Sequence, residues 1–174
     1  LVTYHLALLG MLGWASSFYE PNGASATPPQ QFDAPIANAE VRWFMQSRTD
    51  LEQSSATPGL SSVALGYSRS FQNSYLGTFY QRDRGYLQFS AFLLGTLASG
   101  LEFGVSRVAF PDSDVQESFK QLRLDGRAFA EYRFTETLAA NLTLQYDQVN
   151  SPLVNAEHLD YSRWQAYVGV RWFM

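Results

Sequence analysis

The sequence predicts an all-β chain, an antiparallel up-and-down transmembrane β-barrel of about eight strands. Three observations carry that expectation. Apolar and polar residues alternate with a period of two along most of the 174 residues. Hydrophobic residues make up 46% of the chain and aromatics 16%, yet the mean hydropathy is only -0.18, so apolar residues are interleaved with polar ones. No run approaches the ~20 apolar residues that a membrane helix needs. The third observation is a repeated pentapeptide, VRWFM, at Val41 to Met45 and again at Val170 to Met174.

The opening segment, Val2 to Trp14, is apolar on both faces and fits the pattern least well. The second strand carries the first pentapeptide, with Ala39, Val41, Trp43 and Met45 against Glu40, Arg42, Phe44 and Gln46. Residues 61 to 71 set Val63, Leu65, Tyr67 and Phe71 against the small residues Ser62, Ala64, Gly66, Ser68 and Ser70. Residues 75 to 95 read as one long strand, with Phe79, Leu87, Phe89, Ala91 and Leu93 opposite Thr78, Tyr80, Arg82, Arg84, Gln88 and Ser90. Residues 99 to 110 alternate through Leu101, Phe103 and Val105 and then change phase at Val108 and Phe110, which predicts a bulge.

The last three segments alternate most cleanly. Leu122, Leu124, Gly126, Ala128, Ala130, Tyr132 and Phe134 oppose Arg123, Asp125, Arg127, Phe129, Glu131 and Arg133. Leu138, Ala140, Leu142, Leu144 and Tyr146 oppose Ala139, Asn141, Thr143, Gln145 and Asp147. Trp164, Ala166, Val168, Val170, Trp172 and Met174 oppose Arg163, Gln165, Tyr167, Gly169, Arg171 and Phe173. The intervening stretches include long polar ones at 15 to 38, 111 to 118 and 149 to 160, and short turns at 96 to 98 and 135 to 137. The connection at 48 to 60 is longer, and that at 72 to 74 shorter, than a strict alternation of long loops and short turns would have. One barrel domain over residues 1 to 174, or the C-terminal portion of a larger barrel, is expected.

Period alone does not say which face points inward, and a soluble lipocalin-like barrel that binds an apolar ligand would alternate in the same way. Basic residue usage favours lipid outside: the chain has eleven arginines and a single lysine, Lys120. A polar face of mixed arginine and acid suits an interior of ion pairs, whereas a water-facing exterior would use lysine freely. The expected lumen-lining set is Glu40, Arg42, Arg82, Arg84, Glu102, Arg123, Asp125, Arg127, Glu131, Arg133, Asp147, Arg163 and Arg171. Trp14, Trp43, Tyr132, Phe134, Tyr146 and Trp172 are expected in aromatic girdles at the membrane interfaces.

In a narrow barrel the polar set would pack as an internal ion-pair plug. In a wider one it would line a pore whose arginine excess favours anionic solutes. The net charge of -4 gives no basic patch for nucleic acid, and the absence of cysteine removes disulfides and thiolate chemistry. His5 and His158 have no serine or acid at a diagnostic spacing, so no enzyme and no cofactor are expected. Asp112, Asp114 and Glu117 could offer oxygen ligands to calcium but read better as a solvated loop, and Asn141-Leu142-Thr143 lies in a strand, where glycosylation is discarded.

The tail, with Gly169, Trp172 and Met174, resembles the C-terminal signature that barrel-assembly machinery reads, departing from it in ending on Met rather than Phe. Three stretches, LGYSRSFQNSYLGTFYQRDRGYLQFS, RAFAEYRFTETLAANLTLQYDQ and DYSRWQAYVGVRWFM, resemble the C-terminal part of a β-barrel porin family of Gram-negative bacteria. That resemblance covers roughly residues 60 to 174 and implies an outer-membrane location. It further implies contact with outer-membrane lipid, passage of small solutes or of an exported polysaccharide, and a Leu1 that lies within a larger barrel. The other role open to such a chain is a closed, plugged anchor for partners in an envelope complex.

Overall fold

A computed structural model describes residues 5–16, 33–46, 60–73, 79–93, 95–111, 118–151 and 160–172. They form eight strands: β1 (Leu6–Ser16), β2 (Asp33–Gln46), β3 (Leu60–Asn73), β4 (Phe79–Leu93), β5 (Leu97–Phe110), β6 (Phe119–Arg133), β7 (Leu138–Asn150) and β8 (Tyr161–Trp172). All belong to one antiparallel sheet in the order β1 to β8, so every strand pairs with its neighbours in sequence. None of the described residues is helical.

β1 pairs only with β2 and β8 only with β7, so the sheet is open and the expected closure into a barrel is not formed among the described residues. The four connections at one end are residues 17–32, 74–78, 111–118 and 151–160, and the three at the other are 47–59, 94–96 and 134–137.

The register corrects three expectations. No bulge interrupts β5: Arg82 faces Val108, Asp83 faces Arg107 and Arg84 faces Ser106 without a skipped residue. The change of phase lies in the sequence, because the exposed face itself turns polar there. Arg69, Asp83 and Arg107 follow one another across three strands on that face, while Val108 is buried on the other and Phe110 stacks on Phe119 with ring centroids 4.4 Å apart. The second strand begins at Asp33, inside the predicted loop of 15 to 38, because Asp33 to Asn38 pair with Ser16 to Met11. Pro35 lies within the pairing, opposite Trp14, and β1 carries it through.

The turn expected at 96 to 98 sits earlier. Thr96 donates to the Leu93 carbonyl at 3.2 Å, and Gly95 holds φ at +69°, a conformation that side chains with a Cβ resist. In the β6–β7 turn the Thr135 hydroxyl accepts the Leu138 N–H at 3.0 Å, which starts β7 at the predicted place.

The two faces of the sheet are sorted in the opposite sense to a soluble globule. Val41, Trp43, Leu65, Phe103, Val168 and Trp172 are all exposed, with Val168 at 82%. On the other face Ala139 and Ser106 are inaccessible and Glu131 is 3% exposed. The two pentapeptides conform as far as they are described: Val41, Trp43, Val170 and Trp172 share the apolar face, with Arg42 and Arg171 opposite, while Phe173 and Met174 lie outside the described residues.

Replacing Gly95 by Ala should cost about 1 kcal/mol, since the left-handed conformation is unfavourable to L side chains by roughly that amount. Urea unfolding followed through the tryptophans measures it, and an unchanged midpoint would mean the turn relaxes.

Candidate functional site

Neighbouring strands lie about 4.8 Å apart, so side chains on strands two apart start roughly 9.6 Å from one another and meet only if the strand between is low and the face is hollow. Such crossings organise the polar face. Tyr86 on β4 donates to Glu40 on β2 at 2.7 Å, and Arg42 on β2 reaches Gln88 on β4 at 3.4 Å. Arg82 and Arg84 on β4 reach Asp125 on β6, and Arg171 on β8 reaches Glu131 on β6 at 3.0 Å.

What lies beneath each crossing is small. Gly66 sits under the Tyr86–Glu40 bond, Ala64 between Arg42 and Gln88, Gly104 and Ser106 under the Arg82 and Arg84 crossings, and Ala139 beside Arg171. A Cβ on Gly66 would fall onto the Tyr86 ring, and one on Gly104 would stand 2.5 Å from an Asp125 oxygen and 2.6 Å from an Arg84 nitrogen. Small side chains on β3, β5 and β7 therefore act as saddles over which longer ones on β2, β4, β6 and β8 join. The face is concave as a result.

Two clusters dominate it. In one, Arg84 lies between Glu102, at 2.5 Å, and Asp125, with Arg82 held by Ser106 at 3.1 Å and by Asp125 at 3.3 Å. The Arg84 guanidinium also lies 5.1 Å from the Tyr86 ring centroid. In the other, Arg123 makes a bidentate pair with Asp147 at 2.6 and 2.7 Å, and the same carboxylate takes a hydrogen bond from Tyr161 at 3.0 Å and approaches Arg163 at 3.6 Å. Glu131 is shared by Arg133 and Arg171, and Glu40 pairs with Arg42 at 2.9 Å.

All thirteen predicted polar residues stand on this one face, following the register from β2 to β8. They comprise eight arginines and five carboxylates. Arg127 differs from the others: it is exposed, has no acidic partner within ion-pair distance among the described residues, and borders a hollow of about 370 Å3 shared with Gln88, Ser90, Glu102 and Phe129.

Sequence reasoning missed the saddles and Tyr86. The signal was present in β3, where every second residue from Ser62 to Ser70 is Ser, Ala or Gly, but its meaning depends on which side chains cross above.

The six aromatics divide between the two ends of the strands. Trp43, Tyr132, Phe134 and Trp172 lie toward the 94–96 and 134–137 turns, with the Tyr132 and Phe134 rings edge to face at 5.0 Å. Trp14 and Tyr146 lie toward the opposite end, where Tyr146 meets Trp164 at 4.6 Å and the Trp14 indole donates to Asp33. Gly169 packs under Asn141, and Trp172 is exposed on the apolar face. His158, Asp112, Asp114 and Glu117 lie outside the described residues, among which no three His, Cys or acidic side chains converge as a metal site would require.

No protein-family model, curated protein or solved structure matches the chain. The resemblance to porins therefore rests on the hairpin pattern alone.

Arg84→Ala removes the ion-pair partner of Glu102 and one of the two of Asp125 in a partly enclosed cluster and should cost about 1–2 kcal/mol, part of which returns in the Arg84→Ala/Asp125→Asn double variant. Gly104→Val should cost about 1–3 kcal/mol by displacing the same crossing. A double-mutant cycle from denaturant midpoints checks both, and additive single and double changes would refute the coupling.

Proposed function

We propose that this chain is an integral outer-membrane β-barrel of a Gram-negative bacterium, acting as a porin-like or export-associated channel whose arginine-rich face lines the passage. The observation that carries the reading is the inverted sorting of the sheet: the charged face is hollow and partly enclosed, and the apolar face is exposed. Along β6 the apolar positions from Leu122 to Tyr132 span ten residues, roughly 33 Å of strand. Tilted by about 40°, that length rises about 25 Å, the height of a lipid-facing band. Aromatics stand at both ends of the band, and the Arg69, Asp83 and Arg107 row bounds it on one side.

Hydrocarbon cannot solvate an open strand edge, so membrane insertion requires partners for the outer edges of β1 and β8. If the two edges meet, the result is the narrow, plugged barrel that would serve as an anchor. Additional strands give a wider barrel. The wider form is favoured by the exposure of Arg127 on β6, inside the sheet, which a filled interior would cover. Eight arginines against five carboxylates make that interior net positive, which selects anionic small solutes or an acidic polysaccharide.

Single-channel recording in a planar bilayer, with a salt gradient, tests this directly. Ohmic steps with an anion-selective reversal potential are expected, and Arg127→Glu should move that potential toward cation selectivity. A chain that inserts and resists SDS unless boiled, but never conducts, would favour the plugged anchor.

Leu142, exposed near the middle of the apolar band, separates lipid from water outside. Leu142→Arg should cost roughly 2–4 kcal/mol for folding into lipid vesicles. A cost near zero would return the soluble barrel to consideration.

A further inference from the structure

Resting on the membrane reading, we infer that the apolar face carries a binding site for a phosphate-bearing lipid, the phosphorylated glucosamine headgroup of lipid A with one of its acyl chains. Two features of this face coincide. The first is a cationic rim at the end bearing the 111–118 connection. Arg69, Asp83 and Arg107 form one cross-strand row, and Lys120, the only lysine of the chain, faces the same side diagonally from Arg107. Diagonal neighbours across an antiparallel pair lie about 7–8 Å apart, within the combined reach of a lysine and an arginine on one phosphate.

Asp83 offsets only one of these cations, Arg69, with which it is paired, so Arg107 and Lys120 leave the rim a net positive charge. Its two oxygens are occupied by Arg69 Nε, Tyr67 Oη and Gln81 Nε2, each at 2.6 Å. Arg107 and Lys120 are both exposed, and neither has an acidic partner within ion-pair distance among the described residues.

The second feature is an apolar groove of about 460 Å3 immediately below, walled by Phe103, Val105, Leu124, Tyr146 and Trp164 and floored by Gly126. Gly126 opens it: the position lies between Phe103 and Tyr146 in the cross-strand row, and the missing side chain leaves a trough where its neighbours project. Val105 is two residues from Arg107, so the groove begins roughly 6.6 Å beneath the cation. An anionic head above a trough of acyl-chain width matches the chemistry of a membrane lipid seated with its phosphates at the interface. The rim stands at the end carrying the 17–32, 111–118 and 151–160 connections, and outer-membrane barrels turn their longer loops outward, which places it at the outer leaflet, where the phosphorylated glycolipid is the anionic lipid.

The test is retention of lipid A by the purified full-length chain in neutral detergent micelles, read by native mass spectrometry. Bisphosphorylated lipid A, its enzymatically dephosphorylated form and phosphatidylglycerol are compared. Bisphosphorylated lipid A should bind best. The Arg107→Gln/Lys120→Gln variant should weaken it about tenfold, as expected for the loss of roughly 1.4 kcal/mol of charge-assisted contact. Gly126→Leu should reduce retention with the rim intact, while resistance to SDS before boiling reports that each variant still folds. Equal binding of phosphorylated and dephosphorylated lipid, or of wild type and the double variant, overturns the site while leaving the channel reading intact. Preference for phosphatidylglycerol overturns the assignment to lipid A, and a chain that never inserts overturns both readings.

Discussion

A tyrosine or arginine that reaches an acid two strands away needs a small residue beneath it and a register that holds. Tyr86 over Gly66, Arg84 over Gly104 and Arg171 beside Ala139 each meet both conditions. A slip of one residue in any strand would turn the polar set outward and place Phe103 or Leu144 where Asp125 and Arg123 now pair. Curvature is a consequence of these crossings. They draw β2 toward β4, β4 toward β6 and β6 toward β8, while β3, β5 and β7 contribute little volume to the hollow side. Because the arginine fork can bond two carboxylates at once, Arg84 ties Glu102 to Asp125, which the single ammonium of a lysine would do less rigidly.

Once the charged face is committed to the hollow, the apolar face has nowhere to go but outward. Leu65, Phe103, Val105, Leu142, Leu144 and Val168 together form a continuous exposed surface far beyond the scattered apolar residues of an ordinary monomer. Its end is chemically marked. Three strands in a row change from apolar to charged at Arg69, Asp83 and Arg107, and at the same level the opposite face changes from charged to apolar at Val108, Phe110 and Phe119. Under the proposed membrane reading, that double reversal would mark the boundary between water and hydrocarbon. An imperfection of strand pairing would have left a skipped residue, and none is present.

The same reversal limits what could be read from the sequence. Alternation located β2 to β8, because a face committed to one medium repeats every second residue, while β1 is apolar on both faces. It failed where both faces change character: the switch at Val108 imitates a bulge, and the start of β2 at Asp33 is hidden by Pro35 and by polar composition that local rules assign to a loop. The thirteen charged residues were legible as one face because parity is a local property. Their partners were not. That Arg84 would reach Asp125 as well as Glu102 on its own hairpin depends on Gly104, twenty residues further along, being too small to intervene. Open edges at β1 and β8 lie beyond any local pattern, since the hydrophobicity of Leu9 and Met11 on the polar side of β1 says only that this strand differs from the rest.

Net charge misrepresents this chain for the same reason. The whole carries -4, yet the hollow face holds eight arginines and five carboxylates, which leaves four basic and eleven acidic residues for everything else. Nine of those eleven acids fall in the connections between strands. A solute at the hollow face therefore meets a field opposite in sign to the chain average, since potential follows the nearest fixed charges and decays within about 8–10 Å in salt. The five carboxylates hold seven of the arginines in place. Among the described residues Arg127 alone of the eight makes no ion pair, and it borders the hollow directly across from Glu102. Fixed pairs give the wall its shape and the surplus gives it its sign, so in the proposed channel the position with least structural work is the one that would set selectivity.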